Sequence, residues 1–211
     1  MFRGGIKYSL LTAASAVLLA ACGAAQISSY SGGWYRQHSG VMPRDDGRIY
    51  VCHGFGCAYK TPVDFSFGQR AKLRKILAAG GRSPEAERRA IAKAVAWNEA
   101  RVAPVVGSAD DVGGYDLRNS GKQGQMDCID EATNTTSLLL VAQRQGLLRH
   151  HDVVSPVARG FFIDGEYPHA TAVVVEKQSG KAYAIDSWPR GNAKLPVVQD
   201  LDRWFAALPE A

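Results

Sequence analysis

The stretch QMDCIDEA, residues 125–132, places a single cysteine, Cys128, in the predicted first turn of a helix. Asp127 is a good N-cap. Ile129, Ala132, Leu139, Leu140 and Ala142 recur at roughly helical spacing, and Gly146 supplies a stop. At the first helical position the unpaired backbone N–H groups and the positive end of the helix dipole favour a thiolate. Asp127, Asp130 and Glu131 act the other way, because negative charge around a thiol raises its pKa. A reactive Cys128 in this setting requires a protonated imidazole beside it.

Downstream, GEYPHATAVVVEK carries His169 at the start of a β-branched run, and KAYAIDSW carries Asp186 near the end of an alternating one. Both runs predict strands, with Gln178, Ser179 and Gly180 as a hairpin turn. Cysteine, histidine and aspartate in this order supply a nucleophile, its base and a group that orients the base. The pair Asp127–Cys128 opening a helix, HATAVVV from His169, and AIDSW around Asp186 resemble the bacterial transglutaminase-like cysteine proteinases of the papain-like superfamily. The likeness covers the last third to half of the chain.

That resemblance implies an α+β, papain-like fold, its nucleophile helix packed against an antiparallel β-sheet. It implies a cysteine protease or amidase that forms a thioester at Cys128, with His169 as base and then acid and Asp186 holding the imidazole tautomer. An amine in place of water would make the same site a transglutaminase. Gln123 and Gln125 are the side-chain oxyanion candidates, beside the backbone N–H of Cys128. No cofactor is called for. The competing reading is a non-catalytic lipoprotein that uses the fold to bind a peptide or envelope partner, and the acids around Cys128 favour it. Cleavage of cell-wall peptides is a third reading.

The chain opens as a targeting segment. Arg3 and Lys7 precede a short apolar run, and Leu19–Ala20–Ala21–Cys22 reads as a lipobox, so residues 1–21 are expected to be a lipoprotein signal peptide. By resemblance to bacterial lipoprotein signals, Cys22 carries the lipid. Gly23 after it favours the outer membrane, on the periplasmic side. An ordinary secretory signal is the alternative. Residues 22–47, rich in Ser, Gly, Gln and Arg, are expected to be a tether, with Tyr30, Trp34 and Tyr35 able to dock. Residues 48–211 then form a single domain. The net charge of +5 is partly spent in the leader and the rest is interspersed with acids, which leaves no nucleic-acid footprint. The expected partners are a protein or peptide substrate in the envelope and, through the lipid, the membrane.

Cys52 and Cys57 flank the glycine-bearing turn CHGFGC. In an oxidising compartment they predict a small disulfide loop, which leaves Cys128 as the free thiol. The metal alternative, Cys52 with His53 and Cys57, fits no common zinc spacing and shows no fourth ligand, so no metal is assigned. Between this loop and Cys128 the sequence predicts a strand at 63–67 and a helix over 69–79. A longer helix follows, capped by Ser83 and Pro84 and closed by Pro104, then a polar connection over 107–125. Asp110, Asp111, Asp116 and Asn119 in that connection read as a solvated loop rather than a calcium site. Residues 149–152 read as a polar surface turn, 156–164 as a strand and 200–208 as a final helix. Trp188 is expected to shield the contact between Asp186 and His169.

Overall fold

The computed structural model describes residue 29 and residues 31–115, 117–160 and 168–207. The proposed signal segment and Cys22 lie outside the described residues, as do the far ends of the strand expected at 156–164 and of the final helix. Among the described residues eleven α-helices and β-strands follow one another: α1 Gly32–Gln37, β1 Ile49–His53, β2 Tyr59–Val63, α2 Phe67–Ala78, α3 Pro84–Val106, α4 Cys128–Arg144, β3 His151–Arg159, β4 His169–Glu176, β5 Ala182–Asp186, β6 Val197–Asp200 and α5 Leu201–Ala206. The class is α+β. An antiparallel sheet of order β3-β4-β5-β6 packs against α4, and β1 and β2 form a separate hairpin.

The period-two alternation of the strands divides the core. Val153, Ala172, Val174 and Ile185 face α4 and α3, while Val154, Val173 and Ala184 meet Leu201 and Trp204 of α5 on the other face. Between the sheet on one side and β1 and α3 on the other, α4 is buried at every residue from Asp130 to Ala142. A buried polar run such as Thr133-Asn134-Thr135-Thr136-Ser137 needs specific partners. Thr133 accepts from the Trp34 indole at 2.8 Å, and Ser137 pairs with the Tyr35 hydroxyl at 2.8 Å. Asn134 accepts from Cys52 N at 2.7 Å and donates to Cys52 O at 2.8 Å, so one side chain completes the edge of β1.

Those contacts dock Trp34 and Tyr35 of the expected tether onto the domain, as the sequence allowed. From Ser31 onward the segment belongs to the domain: Trp34 and Tyr35 are buried, and Arg144 holds Pro43 O at 2.8 Å. Three expectations change. The strand expected at 63–67 lies earlier, because Ile49 pairs with Val63, and Ser66 caps α2 through a capping box with Gln69. Pro104 does not close α3, which runs on to bury Val106 and ends at Gly107 with φ +81°.

The turn expected at 149–152 is instead the start of β3. His151 is fully buried, with Nδ1 2.8 Å from Glu87 Oε2 and Nε2 3.2 Å from Arg88, so an acid of α3 draws the histidine in. Glu87 also accepts from Arg149 N and His150 N. Burial raises its carboxyl, but the bonds from His151, Arg149 and His150 outweigh it and hold the carboxyl below its usual range. Beyond the start, the register of β3 shifts between Val154 and Val157, around the proline that cannot donate to the ladder. β6, which completes the sheet, escaped the sequence pattern altogether.

Candidate active site

Asp127 caps α4 by accepting from Asp130 N at 2.9 Å, and Asp130 returns the bond to Asp127 N at 3.3 Å. This reciprocal capping box sets Cys128 at the first helical position. Asp130 is shared with a second structure. The loop from Gly54 to Cys57 has four consecutive positive φ angles, which turn its amides inward. Phe55 N and Cys57 N donate to Asp130 at 2.8 and 2.6 Å, and Gly56 N donates to Asp127 at 3.0 Å. Cys52 and Cys57 are joined in a disulfide that closes this loop. Their sulfurs lie close to the Asp130 carboxylate, but being bonded to each other they carry no metal site. The disulfide expectation holds, and Cys128 is the free cysteine among the described residues.

The Cys128 thiol is buried in a cluster with Trp34, Ala132, Ala170 and Trp188. Its Sγ lies 3.8 Å from Pro168 O, the carbonyl just before His169. Burial, with the Asp127, Asp186 and Asp130 charges adding and the Ala170 N–H opposing, pushes the thiol up to about 12. The free protein therefore holds a thiol at neutral pH, as the acids around Cys128 predict.

His169 opens β4 and Asp186 ends β5. His169 Nε2 meets Asp186 Oδ2 at 2.6 Å, with both side chains almost completely buried. The Trp204 indole donates to the same carboxylate oxygen at 2.8 Å. The Trp188 ring lies against the imidazole with centroids 4.5 Å apart, and Trp204 follows at 5.3 Å. Two indoles thus pack against the imidazole, one more than the sequence suggested. His169 Nδ1 and Asp186 Oδ1 are buried with no hydrogen-bond partner. With Nε2 committed to Asp186, Nδ1 is the atom left for a proton transfer.

The structure brings Cys128, His169 and Asp186 into one region and leaves the glutamines out of it. Gln123 is exposed. Gln125 is buried, but its carboxamide accepts from Asn119 at 3.1 Å and donates to Asp110 at 3.4 Å, which commits it to holding the 107–125 connection. Compared with protein-family models, curated proteins and solved structures, the chain matches none.

A cleft of about 420 Å³ opens beside the imidazole. Tyr115, Arg159, Trp188, Arg190, Gln199 and Trp204 line it together with His169 and Asp186. Cys128 is absent from the described lining residues. One turn along α4, Glu131 Oε2 accepts from Ser187 Oγ at 2.8 Å, and Thr135 Oγ1 lies 3.3 Å from the same hydroxyl. Burial and then the neighbouring Glu99 and Asp111 push the Glu131 carboxyl well above its usual range. This contact ties α4 to the residue after Asp186. The serine in AIDSW was its only sequence signal, and nothing local pointed to Trp204.

Proposed function

We propose that this protein is a cysteine hydrolase, a protease or amidase of papain-like architecture, working through a thioester at Cys128. The observations that carry the reading are the buried His169, held through Nε2 by Asp186 with Nδ1 unspent, and a free thiol at a helix start whose Sγ lies 3.8 Å from the carbonyl of the residue before His169. Because the resting thiol is protonated, the step begins with general-base catalysis rather than a standing ion pair. Sγ forms a bond to the amide carbonyl carbon as its proton passes to His169 Nδ1. The proton then goes to the leaving amine as the C–N bond breaks. Water, deprotonated by the same nitrogen, attacks the thioester and releases the acid and the thiol. Asp186 holds the imidazole in the tautomer this cycle needs, and the Cys128 N–H serves as a backbone donor to the oxyanion.

The substrate we assign is a protein or peptide of the cell envelope, with the protein anchored by a lipid on Cys22 at the periplasmic face, in the outer membrane. The second reading is a lipoprotein that binds such a partner without turnover. It is favoured by the raised thiol pKa and by the absence of Cys128 from the lining of the cleft.

The experiment is acylation by p-nitrophenyl acetate, followed by intact-mass and peptide mapping. An acetyl adduct on Cys128, formed at least about 100-fold more slowly in His169→Ala, supports the hydrolase. Acylation at equal rates in the two proteins puts the binding reading first.

A further inference from the structure

We propose that the cleft beside His169 selects a carboxylate on the peptide substrate, and that Arg190 is the residue that receives it. This deepens the hydrolase reading and rests on it. The segment that carries Arg190 is fixed along its backbone. Arg190 N donates to Ser187 O at 2.9 Å, Gly114 N to Trp188 O at 2.7 Å and Asn192 N to Asp111 O at 3.2 Å. Gly113 crosses so close that a Cβ there would meet the Arg190 carbonyl carbon at 2.3 Å, so a larger residue would push the two loops apart. The Arg190 side chain is exposed at the cleft, and among the described residues it makes no hydrogen bond or ion pair.

The rest of the lining selects the partner. Asp186 is the one acid among the described lining residues, and it is almost completely buried, with His169 and Trp204 both on its Oδ2. Arg159 adds a second cation to the wall and is held there: its Nη1 donates to Trp204 O and Ala207 O, and its guanidinium lies 4.3 Å from the centre of the Trp204 ring. Tyr115, Trp188 and Trp204 supply flat apolar walls. An arginine fork matches a planar carboxylate with two parallel N–H···O bonds, and apolar walls strengthen such a pair by lowering the local dielectric. Phosphate is the rival anion, but it calls for more donors than the single uncommitted guanidinium of Arg190 offers. Tyr115 joins this cleft to the thiol. Its ring meets Trp188 edge-on with centroids 5.4 Å apart, and its hydroxyl, raised by burial, feels Arg159, which lowers it, and Cys128, which raises it further. A carboxylate seated here therefore belongs to a residue close to the cleaved amide.

The test titrates the purified full-length chain with N-acetylated tripeptides: Ala-Gln-Ala amide, Ala-Glu-Ala amide and Ala-Gln-Ala free acid, followed by calorimetry. A carboxylate peptide should bind about tenfold more tightly than the neutral one, and the peptide that gains tells a side-chain carboxylate from a chain end. The preference should fall below about twofold in Arg190→Gln and return in part in Arg190→Lys. No preference in the wild type overturns the proposal, as does a preference that Arg190→Gln leaves intact. Inorganic phosphate binding more tightly than either carboxylate peptide would make this a phosphate site and overturn it equally. In the wild type, the nitrogen NMR signal of Arg190 Nε should move with the carboxylate peptide and not with the neutral one, a readout that needs no variant; an unmoved signal rejects the contact. Acylation of Cys128 by p-nitrophenyl acetate is read separately. Acylation without carboxylate preference removes this proposal and leaves the hydrolase standing, and carboxylate binding without acylation does the reverse.

Discussion

His169 Nε2 and Asp186 Oδ2 are 2.6 Å apart, and that oxygen also takes the Trp204 indole. Asn in place of Asp186 offers one acceptor oxygen and an amide where His169 now donates. The imidazole is then driven toward the tautomer that carries its proton on Nδ1, the wrong form for a base facing a thiol. Asp186→Asn is expected to cut the acylation rate of Cys128 by about 10²–10⁴-fold. The loss of fold stability should be only about 1–3 kcal/mol, read as a urea melt beside the kinetic assay.

Asp127 is the largest charge acting on the Cys128 thiol, second only to burial. Asparagine is an equally good N-cap, so Asp127→Asn removes the charge while keeping one capping oxygen for α4. The thiol pKa should fall by about one unit, which raises the thiolate fraction about tenfold at any pH well below it. Iodoacetamide labelling of Cys128 between pH 7 and 9 should quicken by that factor. Labelling at the wild-type rate would show that Asp127 does not set the thiol's proton affinity.

Glu87 and His151 form a second buried acid–histidine pair, distant in role from the first. Glu87→Gln removes the charge and leaves one acceptor oxygen for the three donors, His151 Nδ1, Arg149 N and His150 N, that now share two, at a cost of about 3–5 kcal/mol near neutral pH. The sign with pH follows from the depressed carboxyl. Its contribution is present above the ordinary glutamate range and fades as pH falls through the lower folded-state value. Urea melts of the two proteins should therefore converge on acidification below about pH 4.

Trp34 joins the segment before β1 to α4 through its bond to Thr133 and its packing beside Cys128. Trp34→Ala should destabilise the domain by about 3–5 kcal/mol. It should also open the thiol to solvent, so that labelling of Cys128 becomes faster although Trp34 lies outside the triad. A stability change below about 1 kcal/mol would return this segment to the status of a tether.

What could be read from the sequence was whatever rests on local chemistry. Asp127 as a cap, Ser83 with Pro84, the hairpin turn at Gly180 and the strands around His169 and Asp186 all follow from neighbours within a few residues. The features that escaped depend on partners far along the chain. His150–His151 looks like a polar turn until Glu87 is placed beside it. The polar run Thr133–Ser137 finds its hydrogen bonds in Trp34, Cys52 and Tyr35, all 82 to 102 residues earlier in the chain. The candidate triad was visible because each member sits at the end of a regular element. The oxyanion candidates Gln123 and Gln125 rest on proximity in sequence to Cys128, and the carboxamide of Gln125 is engaged by Asn119 and Asp110.

The proposed nucleophile, Cys128, sits on a helix buried at every residue from Asp130 to Ala142, while the cleft beside His169 is walled by loops, the edge strand β6 and a six-residue helix. Such a division separates two kinds of inheritance. Substitutions at Tyr115, Arg190, Val197 or Gln199 can accumulate without disturbing the interlocked contacts of α4, because those side chains lie at the periphery. A lineage carrying this architecture could thus drift in what it recognises while its reactive centre stays fixed, and related chains should differ most along that wall and least along the helix behind it.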